Sequence, residues 1–194
     1  MVEERTKIIL VGGDLASGKS TFAHQFSARH QIICLTKDRI KEILADSFGF
    51  ENRKENYHLS QTTFKLLYYS CERALESKVD VLLESNFRQY EVNEIEELVK
   101  KYNADLISLV FYGEPNELFR RYNERIKQGD RHIAHQSEEF NSVEEFKALL
   151  DKMHLVKFPG RVMYIDNTEL KVFTDKNSIK SIDDFVFNKE AKNG

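Results

Sequence analysis

The sequence predicts an α/β protein: one five-stranded parallel sheet with helices on both faces, three layers in all. Three observations lead there. Short, wholly apolar runs recur along the chain, the pattern of strands buried on both faces rather than on one. Segments with apolar residues at helical spacing separate them, as the crossovers of a parallel sheet require. The 194 residues hold only two prolines and no linker-like tract, so the alternation reads as one domain, residues 1–194.

The first strand is "KIILV" at 7–11, followed by a helix from about Gly18 to His30 with Phe22 and Phe26 one turn apart. "QIICL" at 31–35 is the second strand and leads into a short helix from Asp38 carrying Ile40, Ile43 and Leu44. A long amphipathic segment, about 56–78, sets Phe64, Leu67, Cys71 and Leu75 on one side. "VDVLLES" at 79–85 reads as a buried strand, and "EVNEIEELVKKY" as a helix turning Val92, Ile95, Val99 and Tyr102 inward. "DLISLVFY" at 105–112 is the fourth strand. Pro115 suits the first turn of a helix running to about Lys127, with Leu118, Tyr122 and Ile126 in line. After a polar stretch, Ser142-Val-Glu-Glu145 offers a capping box to a helix ending near Met153. "RVMYID" at 161–166 completes the strands, and a helix opened by Ser181 is expected in the tail.

A composition of 41% hydrophobic and 31% charged residues is that of an ordinary globular chain, which excludes the disordered and fibrous classes. The formal net charge of −3 gives no bulk attraction to nucleic acid, so any nucleic-acid contact would have to be local. No apolar run approaches the roughly 18 residues of a membrane span. The N-terminal "MVEERTKIIL", with two acids set against two bases, is too short for a signal peptide. Cys34 and Cys71 are expected as small buried hydrophobes, in keeping with a cytoplasmic location.

In an open parallel sheet, ligands gather outside the carboxyl ends of the strands, here after Val11, Leu35, Leu83, Tyr112 and Ile165. The first end runs into a match to the phosphate-binding loop, or Walker A pattern, Gly-x4-Gly-Lys-Ser/Thr. A chance match in a chain of this length is on the order of one per cent, and the strand before and helix after supply the context. In such a loop the backbone N–H groups of residues 15–20 face the phosphates, Lys19 meets the outer ones, and Ser20 offers its hydroxyl to Mg²⁺. The expected nucleotide-binding set is Gly13, Asp14, Leu15, Ala16, Ser17, Gly18, Lys19, Ser20 and Thr21, with ATP and Mg²⁺ as cofactors. Asp14 is the odd member, an acid beside an anion pocket. It either leans outward to the acceptor side near Asp38 or is a solvated or arginine-paired acid.

The second strand end delivers Asp38 at a helix N-terminus, where it either caps the helix or accepts a proton from an acceptor hydroxyl. The third delivers Glu84, placed to hold Mg²⁺ with Ser20 or to bind an acceptor; Arg88 beyond it is a substrate contact or a surface arginine. Asp80, interior to its run, is expected to pair locally. Beyond the fourth strand, Arg120, Arg121, Arg125, Arg131, His132 and His135 crowd together. A basic lid over about 120–141 would neutralise a transferring phosphoryl group and exclude water. Glu124, Asp130, Glu138 and Glu139 permit a salt-bridged surface loop instead. His132 and His135 have no evident third ligand for a metal. At the fifth end, Asp166-Asn167-Thr168 either touches a nucleotide base or is an ordinary turn.

The phosphate loop, the Asp after the second strand, "LLESNF" and "RRYNER…DRHIAH" together resemble the P-loop kinases of the zeta-toxin and AAA_33 group. That group includes polynucleotide 5'-hydroxyl kinases and chloramphenicol phosphotransferase, and the resemblance covers about residues 7–168. It implies the three-layer fold of P-loop nucleoside triphosphate hydrolases, with strand order 2-3-1-4-5 and a helical lid. It also implies nucleotide binding by Gly13 to Thr21, a catalytic base at Asp38, and lid arginines among Arg121, Arg125 and Arg131. The chain departs from the group where Leu15 and Ala16 replace Pro and Gly of the loop, and where "RHIAH" replaces Arg-His-Pro-Gly-His. Neither change removes a charged participant.

The expected activity is transfer of the γ-phosphoryl group of ATP to a hydroxyl or phosphate of a small-molecule acceptor. Lys19 and the lid arginines would stabilise the transferring group. A GTPase switch is disfavoured because the guanine-reading Asn-Lys-x-Asp is absent, and a ring ATPase because no Asp-Glu pair closes the third strand. The alternatives are a nonhydrolysing or slowly hydrolysing ATP-binding regulatory protein and a polynucleotide 5'-hydroxyl kinase, the latter at odds with the acidic net charge.

Overall fold

Strands without polar breaks must be covered on both sides, and this decides how the chain is wound. The computed structural model describes residues 5–129, 132–135 and 140–187. The strands are β1 (Lys7–Gly13), β2 (Ile33–Thr36), β3 (Val81–Glu84), β4 (Asp105–Tyr112) and β5 (Arg161–Asp166). Between and after them come α1 (Lys19–His30), α2 (Lys37–Phe48), α3 (Arg53–Glu76), α4 (Gln89–Tyr102), α5 (Pro115–Lys127), α6 (Val143–Met153), α7 (Lys171–Thr174) and α8 (Lys176–Phe187). A short 3-10 turn, Ile133–His135, lies between α5 and α6. The sheet order is β2-β3-β1-β4-β5 with every neighbour parallel, the three-layer P-loop arrangement that the sequence predicts.

The two-residue period of β1 divides the core. Ile8 and Leu10, with Val81, Leu83 and Leu106, pack on Phe64 and Leu67 of α3 and Val92, Ile95 and Leu98 of α4. Ile9 and Val11, with Leu82, Ile107 and Leu109, face Phe22 and Phe26 of α1 and Ile182 and Val186 of α8. A third cluster joins Leu118 and Tyr122 of α5 to Phe146 and Leu150 of α6, and the loop residues Leu15 and Ala16 pack against it. The base of the expected lid region therefore rests on the phosphate loop.

Several boundaries differ from the sequence reading for local reasons. β1 runs on to Gly13 because Gly12 and Gly13 stay in register with Val110 and Phe111. β2 starts only at Ile33, since Gln31 adopts a left-handed conformation that closes α1. The tail helix opens at Lys176 rather than Ser181, because the Asp175 carboxylate accepts from the backbone N–H of Ser178 at 2.8 Å. Ser142 caps α6 by accepting from Glu145 N–H at 3.3 Å, but the Glu145 carboxylate accepts from Asn141 N–H, so the expected box is half formed. On α4, Leu98 is fully buried while Val99 and Tyr102 only flank the core. Ile43 and Ile126 are exposed, not inward. Asp80 accepts from the Lys7 backbone N–H at 2.7 Å, a local pairing between β1 and the turn before β3. Cys71 is buried, its thiol pushed up to about 12 by that burial, whereas Cys34 on edge strand β2 is only partly covered. Among the described residues no helix is long and apolar enough to cross a membrane.

Gly13 has φ +112°, and a Cβ there would lie 2.0 Å from the Phe111 carbonyl oxygen. Gly49, at φ +68°, has nothing within 4 Å of such a Cβ. Gly13→Ala is therefore expected to cost roughly 3 kcal/mol or more, and Gly49→Ala only about 1 kcal/mol of backbone strain. Urea unfolding of the two variants beside the parent chain measures the difference.

Candidate nucleotide and acceptor site

The loop between β1 and α1 is shaped by three residues of positive φ: Gly13 (112°), Ala16 (58°) and Gly18 (89°). Its carbonyls and side chains are braced from outside. Asp14 N–H donates to Phe111 O at 2.8 Å, and Asn167 Nδ2 donates to Ser17 O at 2.8 Å. Ser17 Oγ donates to the Asp14 carbonyl at 2.7 Å, and the Lys19 ammonium donates to the same oxygen. α1 begins on Gly18, which supplies no side-chain cap, so the first amides of the helix stay free for an anion. Thr21 sits exposed in that first turn. Lys19 is buried, which lowers its proton affinity, while Glu84, Asp14 and Asp38 act to restore it.

Glu84 closes β3, and burial pushes its carboxyl up to about 7 despite the attraction of Lys19. The nearby Asp38 adds to the rise, and the Ser20 hydroxyl hydrogen-bonds to Glu84. A hydroxyl and a carboxylate beside an anion cradle fit Mg²⁺, which takes one or two protein oxygens and fills its shell with water and phosphate oxygens. His132 and His135 belong to no group of three metal-ligating side chains among the described residues.

A cleft of about 600 Å³ lies beside the loop. Lys41, Arg88 and Lys152 bring three cations to its lining, opposed by Asp38, and Phe87, Phe140 and Met153 give it apolar wall. Asp38 stands in the first turn of α2 with an exposed carboxylate, and the N-cap of that helix is Thr36. His135 lies between two acids of α2, its Nδ1 4.0 Å from Asp38 Oδ1 and its Nε2 3.4 Å from Glu42 Oε1. The adjoining Ala134 carbonyl accepts from Lys41 Nζ at 2.9 Å and Asn56 Nδ2 at 3.2 Å, and His132 Nε2 is 3.0 Å from Asp46 Oδ1. The turn 133–135 is thus fastened to α2 and α3. The Arg88 guanidinium sits 5.2 Å from the centre of the Tyr57 ring.

The arginines divide by task. Arg120 is spent on the exposed carboxylates of Glu117 and Glu124. Arg121 binds Glu117 Oε1 at 2.8 Å and the carbonyls of Asn167 (3.1 Å) and Thr168, which holds the loop after β5. Arg125 is exposed and close enough to act electrostatically on both Lys19 and Glu84. Arg131, with Asp130, Glu138 and Glu139, lies outside the described residues.

Asp14 is a buried acid rather than a solvated one, and a histidine and a backbone amide, not an arginine, meet its carboxylate. Oδ1 accepts from His154 Nε2 at 2.7 Å and Oδ2 from Gly113 N–H at 3.4 Å. Asn167 is buried and braces Ser17, with its own Oδ1 unpartnered. Sequence reasoning passed over His154, Lys41 and Lys152. None lies in a motif, and only the folded α2 and α6 bring them to this edge of the sheet.

A parallel sheet of this order, a phosphate loop after its central strand and a neighbouring cleft define the class of P-loop kinase-like folds. The pattern of the Zeta toxin family matches residues 2–179, and the chain belongs to that family. No curated protein matches it in sequence. Among solved structures it is similar to a candidate kinase of Chloroflexus aurantiacus (23% identity, TM-score 0.79, covering 95% of this chain and 99% of that one). It is similar also to a sugar kinase of a Janibacter species (12% identity, TM-score 0.57, 94% and 95% covered). A shikimate kinase of Bacteroides thetaiotaomicron shares the fold too (17% identity, TM-score 0.55, 91% and 93% covered).

Because the folded chain holds the Glu84 proton up to about 7 against an ordinary value of 4.5, this group's stabilising contribution is complete below about pH 4.5. It is lost as the pH rises through about 7. Glu84→Gln is accordingly expected to stabilise the nucleotide-free protein at pH 8 by about 2 kcal/mol, or roughly 4–8 °C in Tm. The gain should shrink toward zero at pH 5, as measured by thermal melts across that range.

Proposed function

We propose that the protein transfers the γ-phosphoryl group of ATP to a hydroxyl or phosphate of a small-molecule acceptor. The observation that carries this reading is the adjacency of two compartments: the phosphate loop with Lys19 in its floor, and the separate cleft that Asp38 helps to line. A nucleotide held in the first would direct its terminal phosphate toward the second, and distinct donor and acceptor sites are what phosphoryl transfer needs. Residues Gly13 to Thr21 cradle the phosphates. Lys19 stabilises the charge on the transferring group, and Asp38 accepts the proton of the acceptor hydroxyl. Mg²⁺, when bound through Ser20 and Glu84, would neutralise charge shared by the outer phosphates. Arg125 is near enough to act on the same group, and the sequence expectation of a lid over about 120–141 of a single domain, with Arg131 in it, belongs to this proposal; Arg121 holds the loop after β5. Lys41, Arg88 and Lys152 favour an acceptor that itself carries a phosphate or carboxylate. The two free thiols suit a cytoplasmic enzyme.

Labelled ATP, Mg²⁺ and a panel of acceptors graded by charge test the reading. Anionic acceptors are expected to be labelled first. Asp38→Asn should lower kcat by about 100-fold or more while leaving the ATP Kd within about threefold. Hydrolysis that needs no acceptor and ignores Asp38→Asn would sink the proposal. ATP binding without turnover on any acceptor would favour a nucleotide-dependent regulatory protein.

A further inference from the structure

Asp14 is 1% exposed, and its burial raises the carboxyl's proton affinity. A buried carboxylate beside a cradle built for phosphates is unfavourable twice, through its own desolvation and through repulsion of the ligand. The side chain that offsets both is His154, whose Nε2 donates to Oδ1 at 2.7 Å from 140 residues away in sequence. His154 caps the C-terminal end of α6, where unsatisfied carbonyls favour a cation. Asp14 also organises the loop through its main chain, since its carbonyl accepts from Lys19 and Ser17. A displacement of that peptide moves the Lys19 ammonium. On the other side, Leu15 next to Asp14 and Met153, Leu155 and Val156 around His154 all line the acceptor cleft.

We propose that His154 is a positioning residue of the phosphate loop that acts through Asp14. It fixes the Asp14 carboxylate toward α6 and the end of β4, and in its imidazolium form would offset the carboxylate's negative charge as phosphates arrive. The inference rests on the reading that this loop binds a nucleoside triphosphate. The charged groups around the pair are Lys19 of α1, with Glu84 of β3, Asp38 of α2 and Arg125 of α5 acting on Lys19; the Gly113 N–H completes the polar contacts.

The test measures Kd for Mg-ATP and for inorganic tripolyphosphate at pH 7 with wild type, His154→Gln and the double variant Asp14→Asn/His154→Gln. The glutamine keeps a donor but cannot charge, so binding of both ligands should weaken roughly tenfold. The double variant has no carboxylate to compensate and should return to within about twofold of wild type. A purely structural role gives no such rescue. Equal affinity of His154→Gln and wild type, or a double variant as weak as the single one, overturns the proposal. A wild type that binds neither ligand overturns the nucleotide reading as well. Should the glutamine variant fail to fold, His154→Asn, alone and combined with Asp14→Asn, takes its place, and the same outcomes support or overturn the assignment.

Discussion

Everything at the nucleotide edge depends on how closely the backbone of Gly13 lies against that of Phe111. β1 and β4 stay paired up to that point, and Asp14 N–H then donates to the Phe111 carbonyl, so the loop leaves the sheet at a fixed place and angle. A side chain at residue 13 would occupy the space of that carbonyl. With the departure fixed, the next carbonyl is presented to Lys19 and Ser17, the chain turns through Ala16 and Gly18, and α1 starts with open amides. Sheet pairing alone thus requires the glycine.

The same edge concentrates charge where water is scarce. Lys19 and Glu84 are both buried, and each makes the charged state of the other less costly. Such a pair contributes little net stability by itself, because two desolvations set against one attraction nearly cancel. What it provides is a pre-set local field that a polyanion and its counter-ion can enter without moving the scaffold. The neighbouring acid of the loop, Asp14, is buried as well and is bonded to the half-exposed imidazole of His154.

What was legible in the sequence follows from the range of each interaction. The loop Gly13 to Thr21, the five strands and most of the crossovers are written in consecutive residues, and their order in the sheet came through resemblance on those local motifs. Asp38 and Glu84 could be singled out because they stand at or just past strand ends, and strand ends meet at one edge whatever the side chains do. Long-range pairings were silent. Nothing near residue 154 announces a partner for Asp14, and Lys41 and Lys152 look like any surface lysine until α2 and α6 converge. Arg121 could be placed in a basic cluster, but its bonds to the Asn167 and Thr168 carbonyls depend on how β5 sits beside β4. The tail helix starts earlier than expected because Asp175, six residues before Ser181, caps it.

α5 carries a mechanical consequence. Its first turn is tied where Glu114 N–H donates to Thr168 Oγ1 at 2.9 Å, its middle where Arg121 grips the carbonyls after β5, and its inner face where Leu118 and Tyr122 enter the third cluster. These attachments make the first two turns part of the fixed frame. Beyond Tyr122 the helix shows exposed residues from Glu124 to Gln128, and Gly129 at φ +73° follows its C-cap. One helix thus holds Arg121 on its anchored half and Arg125, a turn later, on its exposed end.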